Sequence, residues 1–262
     1  SYPTDAIRQD VKGHLKAGCK EIWITSNDNG AYMVEQGGKQ KLVELLEQIL
    51  SIPLDFKLRL GMMNPGNTIP IIEELIEIYK HPKMFKFLHI PLQSGNDDIL
   101  KLMNRKYNVE NFADVVARFK REITEITLST DIIVGFPTER EEQFKDSLSI
   151  IKKIKPDVLN LSRYAARDGT IAAKIQQLPT NTLKQRSRIM TYAFREIALE
   201  NNKKWIGWGG KILIDENGKY DSWMGRNNCY KPVVVKGDFK LGEEVNVKIF
   251  DATSFDLRGE VC

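Results

Sequence analysis

The residues best suited to chemistry in this 262-residue chain gather where apolar runs end in polar turns. Leu88-His-Ile-Pro-Leu-Gln-Ser-Gly95 is the central case. An apolar run carrying His89 passes into Gln93, Ser94 and Gly95, and a helical pattern opens just after them, over Asn96–Arg105. Gln93 and Ser94 bring an amide and a hydroxyl, groups that hold a polar ligand by donating and accepting hydrogen bonds. Asp131 places a carboxylate on one face of a second run, Thr127–Val134. A buried carboxylate without a partner is expensive, so Arg59 or Arg167 is expected to pair with it. The three histidines, His14, His81 and His89, are widely spaced, and a lone strand histidine reads as a hydrogen-bonded structural residue. Cys19, Cys229 and Cys262 are odd in number and far apart, with no CxxC spacing. Neither a disulfide framework nor a metal site follows from them, and Cys19 is expected at the amino-terminal end of the strands, away from the chemistry. P-loop, GxSxG and HExxH sequences are absent.

Two periodicities alternate up to about residue 175 to position these groups. Strands are expected over Glu21–Ser26, Phe56–Met62, Phe85–Ile90, Thr127–Val134 and Asp157–Arg163, and helices over Ala6–Lys16, Lys39–Leu50, Ile69–Tyr79, Asn108–Arg121 and Glu139–Ile154. Such alternation argues for parallel βαβ units. Asn108 reads as an N-cap, Thr138 and Glu141 have capping-box spacing, and Pro70 sits in a first turn. One strand face is apolar (Ile22/Ile24, Leu58/Leu60, Leu88/Ile90, Ile126/Leu128/Ile132, Leu159/Leu161). The other is polar (Thr25/Asn27, Lys57/Arg59, His89/Gln93, Thr127/Ser129/Asp131, Asn160/Ser162/Tyr164). A closed βα barrel fills its lumen with branched apolar side chains, so a polar inner face points to an α/β fold built as an open or partial parallel barrel around a polar ligand. An antiparallel sheet with one wetted face is the alternative.

A long helix is expected from Thr180 to about Lys204, with Arg186, Arg188, Arg195, Lys203 and Lys204 on a solvated face or flanking a polyanion. After Trp205 five short alternating runs follow: Lys211–Asp215, Tyr220–Gly225, Lys231–Lys236, Glu244–Phe250 and Leu257–Val261, with Asn217-Gly218 as a hairpin signal. They suit a small OB-like β-barrel of the kind that binds nucleic acid, with a domain boundary near residue 206.

Composition is that of an ordinary globular chain: 42% hydrophobic, 28% charged, net charge +4. No apolar run approaches the roughly 20 residues of a membrane span and no signal peptide is visible, so the cytoplasm is the expected compartment. From Trp205 onward there are eight Lys and Arg against nine Asp and Glu, so any RNA surface there must be a local patch.

His89-Ile-Pro-Leu-Gln-Ser-Gly95 with Met103-Asn-Arg105, Thr130-Asp-Ile-Ile-Val-Gly-Phe-Pro137 and Tyr164-x-x-Arg167-x-Gly169-Thr170 together resemble the methylthiotransferase family of radical S-adenosylmethionine (SAM) enzymes. Arg59-Leu-Gly-Met-Met-Asn-Pro65 is similar to the branch of archaea and eukaryotes that modifies N6-threonylcarbamoyladenosine 37 of tRNA, and the β-rich tail resembles a TRAM domain. The resemblance implies that a 4Fe–4S cluster cleaves SAM to a radical that attacks C2 of the adenine. It also implies sulfur from a second cluster, a methyl group from another SAM, an electron-donor protein, and tRNA held by its anticodon loop. Carried over residue by residue, it implies SAM contacts at Ser26, Asn27, Arg59, Asn64, Gln93, Ser94, Asp131, Gly135, Phe136 and Tyr164. RNA contacts are implied at Arg167, Lys203, Lys204, Lys211, Arg226, Tyr230, Lys231 and Arg258. Thr138 stands where the family commonly has Gly, and its expected role as an N-cap would account for it. The family's CxxxCxxC loop and its amino-terminal cysteines have no counterpart here. The chain is therefore expected to be a carboxyl-terminal part of such an enzyme, binding no cluster and inactive alone. A non-catalytic tRNA-binding module, action on isopentenyladenosine 37 or a ribosomal protein, and a metabolic βα-barrel enzyme are the competing readings.

Overall fold

The structure is a computed structural model that describes residues 1–37 and 40–262; the expected helix start at Lys39 lies outside them. The first part of the chain alternates as the spacing implies. Its elements are α1 (Thr4–Lys16), β1 (Glu21–Ile24), α2 (Leu42–Leu50), β2 (Lys57–Leu60), α3 (Pro65–Thr68), α4 (Ile72–Lys80) and β3 (Phe87–His89). They continue with α5 (Asp97–Leu102), α6 (Val109–Glu122), β4 (Thr127–Val134), α7 (Glu141–Ile154), β5 (Val158–Arg163) and the long α8 (Thr180–Lys203). β1 pairs with β2, and β3 with β4 and β5, all parallel. A Leu58–Met84 bridge joins the two sheets. Strand order thus follows chain order, as in a barrel that has not closed.

The apolar strand face carries the core. Leu58, Leu60, Leu88, Ile90, Leu128 and Ile132 are fully buried against helix residues such as Leu45, Leu75, Phe112 and Phe119. Each such side chain contributes about 1.5–3 kcal/mol of hydrophobic stabilisation. The polar face therefore turns inward, and helices between the strands exclude the antiparallel alternative.

Asn108 caps α6, its Oδ1 accepting from the Asn111 N–H at 2.7 Å while Asn111 Oδ1 accepts from the Asn108 N–H at 3.3 Å. At α7 the expectation fails. Only the back half of a box forms: the Arg140 N–H donates to Gln143 Oε1 at 2.9 Å, and Thr138 has φ +72°, a left-handed conformation that disfavours a β-branched residue. Thr138 has no capping role.

Beyond α8 the chain forms a closed five-stranded barrel from β6 (Gly209–Asn217), β7 (Ser222–Arg226), β8 (Pro232–Lys236), β9 (Glu244–Ala252) and β10 (Leu257–Val261), in the order β10-β8-β7-β6-β9. Ile212, Ile214, Val233, Val247, Ile249 and Leu257 fill it. The β6–β7 connection is longer than Asn217-Gly218 implies, with Tyr220 and Asp221 as its left-handed residues.

The small barrel docks on the amino-terminal end of the large one. In the β7–β8 loop, Asn227 Oδ1 accepts from the Cys229 and Lys231 N–H groups at 3.0 and 2.9 Å, holding Tyr230 at φ +59°. Tyr230 packs with Phe85, Phe87 and Leu213 in a separate apolar cluster. Lys86 N–H donates to the Asn228 carbonyl at 2.8 Å, and Lys231 Nζ reaches Asp157 at 2.7 Å.

Candidate functional site

At the carboxyl ends of β4 and β5 and the turn after β3 lies a cleft of about 810 Å³. The backbone builds its inner wall. Gln93, at φ +73°, bridges to Ile132, its N–H donating to the Asp131 carbonyl at 2.8 Å and its carbonyl accepting from Ile133 N–H at 2.9 Å. Ser94 is fully buried, and its hydroxyl accepts from the Asn96 N–H at 3.3 Å. Gly95 lies so close to α7 that a Cβ would stand 2.5 Å from Ser147 Cα, and its N–H donates to Ser147 Oγ at 2.8 Å. Gly135, at φ +78°, faces Leu183 of α8 just as closely. Its N–H donates to Glu139 Oε2 at 2.8 Å, which also receives Arg186 Nη1 at 2.6 Å. Burial pushes the Glu139 carboxyl up; the Gly135 N–H and Arg186 pull it back. Arg186, expected on a solvated face, is buried as this carboxylate's counter-ion.

Five of the anticipated residues come together in the cleft: Gln93, Asp131, Phe136, Tyr164 and Arg167. Phe136 and Tyr164 meet edge to face with ring centroids 5.1 Å apart. Asp131 pairs with neither Arg59 nor Arg167. Its Oδ1 takes His89 Nε2 at 2.9 Å and Asn160 Nδ2 at 2.7 Å, because the three side chains share the inner face of neighbouring strands. His89, Asn160, Arg105 and Arg163 also stand at the site, although none is among the expected SAM or RNA contacts. The polar alternation already carried His89 and Asn160, and Arg105 closes the Met103-Asn-Arg105 stretch. The Arg105 Nε is buried without a hydrogen-bond partner among the described residues.

Other anticipated residues lie elsewhere. Ser26 and Asn27 are exposed beyond β1, and Asn64 caps α3 by accepting from the Gly66 N–H at 2.9 Å, while its own N–H donates to Asp28 at 3.0 Å. Arg59 sits low on the inner face. Its guanidinium lies 4.6 Å from the Trp23 ring, 4.7 Å from Phe87 and 4.9 Å from Tyr230. That aromatic cage holds it away from the cleft. Tyr230 and Lys231 are buried at the docking surface, where Lys231 Nζ is shared by Asp157 and Asn202. Arg226 pairs with Asp215 at 2.8 Å against the Tyr230 ring. These three are docking residues in the structure, so they present no free group to a phosphate. Lys211 and Arg258 are exposed, with Glu244 at 3.1 Å and Asp256 at 3.9 Å. Lys203 and Lys204 are exposed at the lower end of α8.

Residues 1–151, more than half of the chain, match the family model described as the radical SAM superfamily. The chain belongs to this superfamily. Residues 211–262 match the TRAM domain model. The radical SAM chain is 42% identical over its whole length to the "Probable threonylcarbamoyladenosine tRNA methylthiotransferase" of Archaeoglobus fulgidus, covering 61% of that protein. It is 43% identical to the protein of the same name in Pyrococcus horikoshii, again covering 61%. Against the human threonylcarbamoyladenosine tRNA methylthiotransferase it is 35% identical over 99% of its length, covering 45% of that protein. The chain thus spans about half to three-fifths of the curated relatives it matches. Among solved structures, coproporphyrinogen III oxidase (HemN) from Escherichia coli superposes with a TM-score of 0.54 at 20% identity, over 74% of this chain and 45% of that one, a likeness of fold.

The superfamily implies SAM and a 4Fe–4S cluster. The cleft suits SAM: its volume lies in the range for such ligands, aromatic faces stand beside carboxylate and amide groups, and Arg105 has an unused donor. This chain's own residues do not suit the cluster. Among the described residues no three His, Cys, Asp or Glu side chains converge to hold a metal, and thiolates are the ligands such clusters need. Cys19 and Cys262 are exposed, and burial pushes the Cys229 thiol up to about 12.

Proposed function

We propose that residues 1–206 form the SAM- and substrate-holding part of a tRNA methylthiotransferase, and residues 207–262 its TRAM domain. The reaction is addition of a methylthio group at C2 of N6-threonylcarbamoyladenosine 37, in the anticodon loop. The observation that carries this reading is the 42% identity over the whole of this chain to a relative of that name. In it, Phe136 and Tyr164 offer faces to the adenine, Asp131 and Asn160 accept from and donate to the ribose, and Arg105 and Arg167 hold the carboxylate. His89 orients Asp131 through the hydrogen bond to its Oδ1. When bound, one SAM would supply the radical that activates C2, and a second SAM the methyl group that completes the product. The two 4Fe–4S clusters this chemistry requires need thiolates from outside the 262 residues, and an electron-donor protein to reduce them. A tRNA substrate supports the cytoplasm as the compartment of this enzyme.

Equilibrium dialysis with radiolabelled SAM tests the cleft: the chain is expected to bind it, and Tyr164→Ala to weaken binding at least tenfold. Iron–sulfur reconstitution of this chain under anaerobic conditions is expected to yield no stable cluster absorbance. For the substrate, mass spectrometry of tRNA from cells disrupted in the encoding gene should show N6-threonylcarbamoyladenosine without its methylthio group. Loss from isopentenyladenosine or from a ribosomal protein instead, or no loss at all, would overturn the assignment.

A further inference from the structure

Of the small barrel's anticipated RNA contacts, Arg226, Tyr230 and Lys231 are engaged within the protein and Lys211 and Arg258 stand beside carboxylates, whereas a run of cations on α8 has no carboxylate partner among the described residues. A groove of about 350 Å³ lies between the end of β5 and the outward face of α8. Arg163, Lys184, Arg188 and Arg195 line it together with the side chains of Ser187, Thr191 and Tyr192, and no carboxylate does. Among the described residues the ion pairs of α8 are those of Arg186 with Glu139 and Glu141 and of Glu200 with Lys155, so Lys184, Arg188 and Arg195 take part in none, and Arg163 of β5 has no ion pair either. All four are exposed.

Spacing and position both point to a strand of nucleic acid. Lys184, Arg188, Thr191 and Arg195 recur every three or four residues along one helix face. Each turn, about 5.4 Å of rise, therefore presents one donor over roughly 16 Å, a ladder close to the step between phosphates. At its upper end the groove joins the cleft, because Arg163 lines both. At its lower end the Arg195 guanidinium lies 5.6 Å from the ring of Phe255, an exposed residue of the β9–β10 loop. Between them Tyr192, 62% exposed, presents a ring on which a base can stack. A solvated helix face normally intersperses both signs of charge; this one carries a single sign on one side.

We infer that this groove carries the phosphodiester backbone of the RNA strand as it runs from the cleft toward the TRAM barrel, with Lys184, Arg188 and Arg195 contacting phosphates and Tyr192 stacking on a base. The inference rests on the RNA reading above and moves the main backbone contact from the barrel to α8.

Fluorescence anisotropy with a transcribed tRNA and with a 12-nucleotide single-stranded RNA, each over a range of salt, tests it. The Lys184→Ala/Arg188→Ala/Arg195→Ala variant, with its fold checked by circular dichroism and melting, should bind at least tenfold more weakly. Its slope of log K against log salt should be shallower by about 2 to 3, since each phosphate contact contributes roughly 0.7–0.9. Tyr192→Ala should weaken single-strand binding while leaving that slope unchanged. A Lys211→Ala/Arg258→Ala variant should shift affinity less than threefold. If the triple variant keeps wild-type affinity and slope while RNA still binds, the groove assignment is wrong and the RNA reading stands. If the wild-type chain binds neither RNA, both fall.

Discussion

The two ends of the open barrel use one polar inner face in opposite ways. At the upper end Asp131, His89 and Asn160 share hydrogen bonds at the floor of a cleft whose arginines remain accessible. At the lower end the corresponding positions are closed over. Arg59 is enclosed by Trp23, Phe87 and Tyr230, Trp23 donates to Glu21, and Lys231 is bound to Asp157. A polar inward residue therefore serves a ligand or a docking surface according to its height along the strand. What lies above is solvent and cofactor space, and what lies below is the second domain.

Removing the plug should separate the two ends most sharply. Tyr230→Ala deletes a buried aromatic that touches both domains, and should cost about 3–5 kcal/mol in urea unfolding. If the small barrel then melts independently, Tyr230 couples the domains; unchanged stability would mean that the interface is held by Lys231 and Asn228 alone. At the upper end Asp131→Asn should leave stability within about 1 kcal/mol while weakening SAM binding about tenfold, some 1.4 kcal/mol. A large stability loss there would erase the distinction.

Titration offers a finer contrast. Burial raises the pKa values of both Glu21 and Asp215 at the lower end. The folded chain then holds those protons more tightly than the unfolded one. Their contribution to stability is greatest at acid pH and declines as pH climbs through the ordinary carboxylate range toward the raised values. Glu21→Gln should flatten the pH dependence of the urea midpoint above the ordinary carboxylate range, and an unchanged slope would show that this carboxyl remains solvated. Smallest in energy is a difference of reactivity. A thiol reagent should modify Cys19 and Cys262 in the native chain and reach Cys229 only on unfolding, as its burial and raised pKa require.

Much of the barrel was legible because one strand face must meet helices. Thr127–Val134 has the bounds read from its alternation, and the five-strand tail follows from its short runs and turns. Height along the strand was not legible, so Arg59 and Asp131 read as one site when the structure puts an aromatic cage around one and a cleft around the other. Nor was pairing across long separations. Arg186 finds Glu139 47 residues away, and that contact fixes the loop in which Thr138 takes a conformation its own local sequence argues against. Lys231 and Tyr230 look like free phosphate and base contacts until the second domain is docked.

The closeness of Gly95 to Ser147 has a bearing on motion. A wall with no room for one methyl group has none for a rocking turn, so the Gln93 side of the cleft cannot give way without shifting α7. The opposite rim, where Arg167 and Ile171 stand in solvent, is bound by no such contact. The two rims of the cleft therefore differ in how firmly they are packed: the Gln93 side is wedged against α7, and the Arg167 side stands open to solvent.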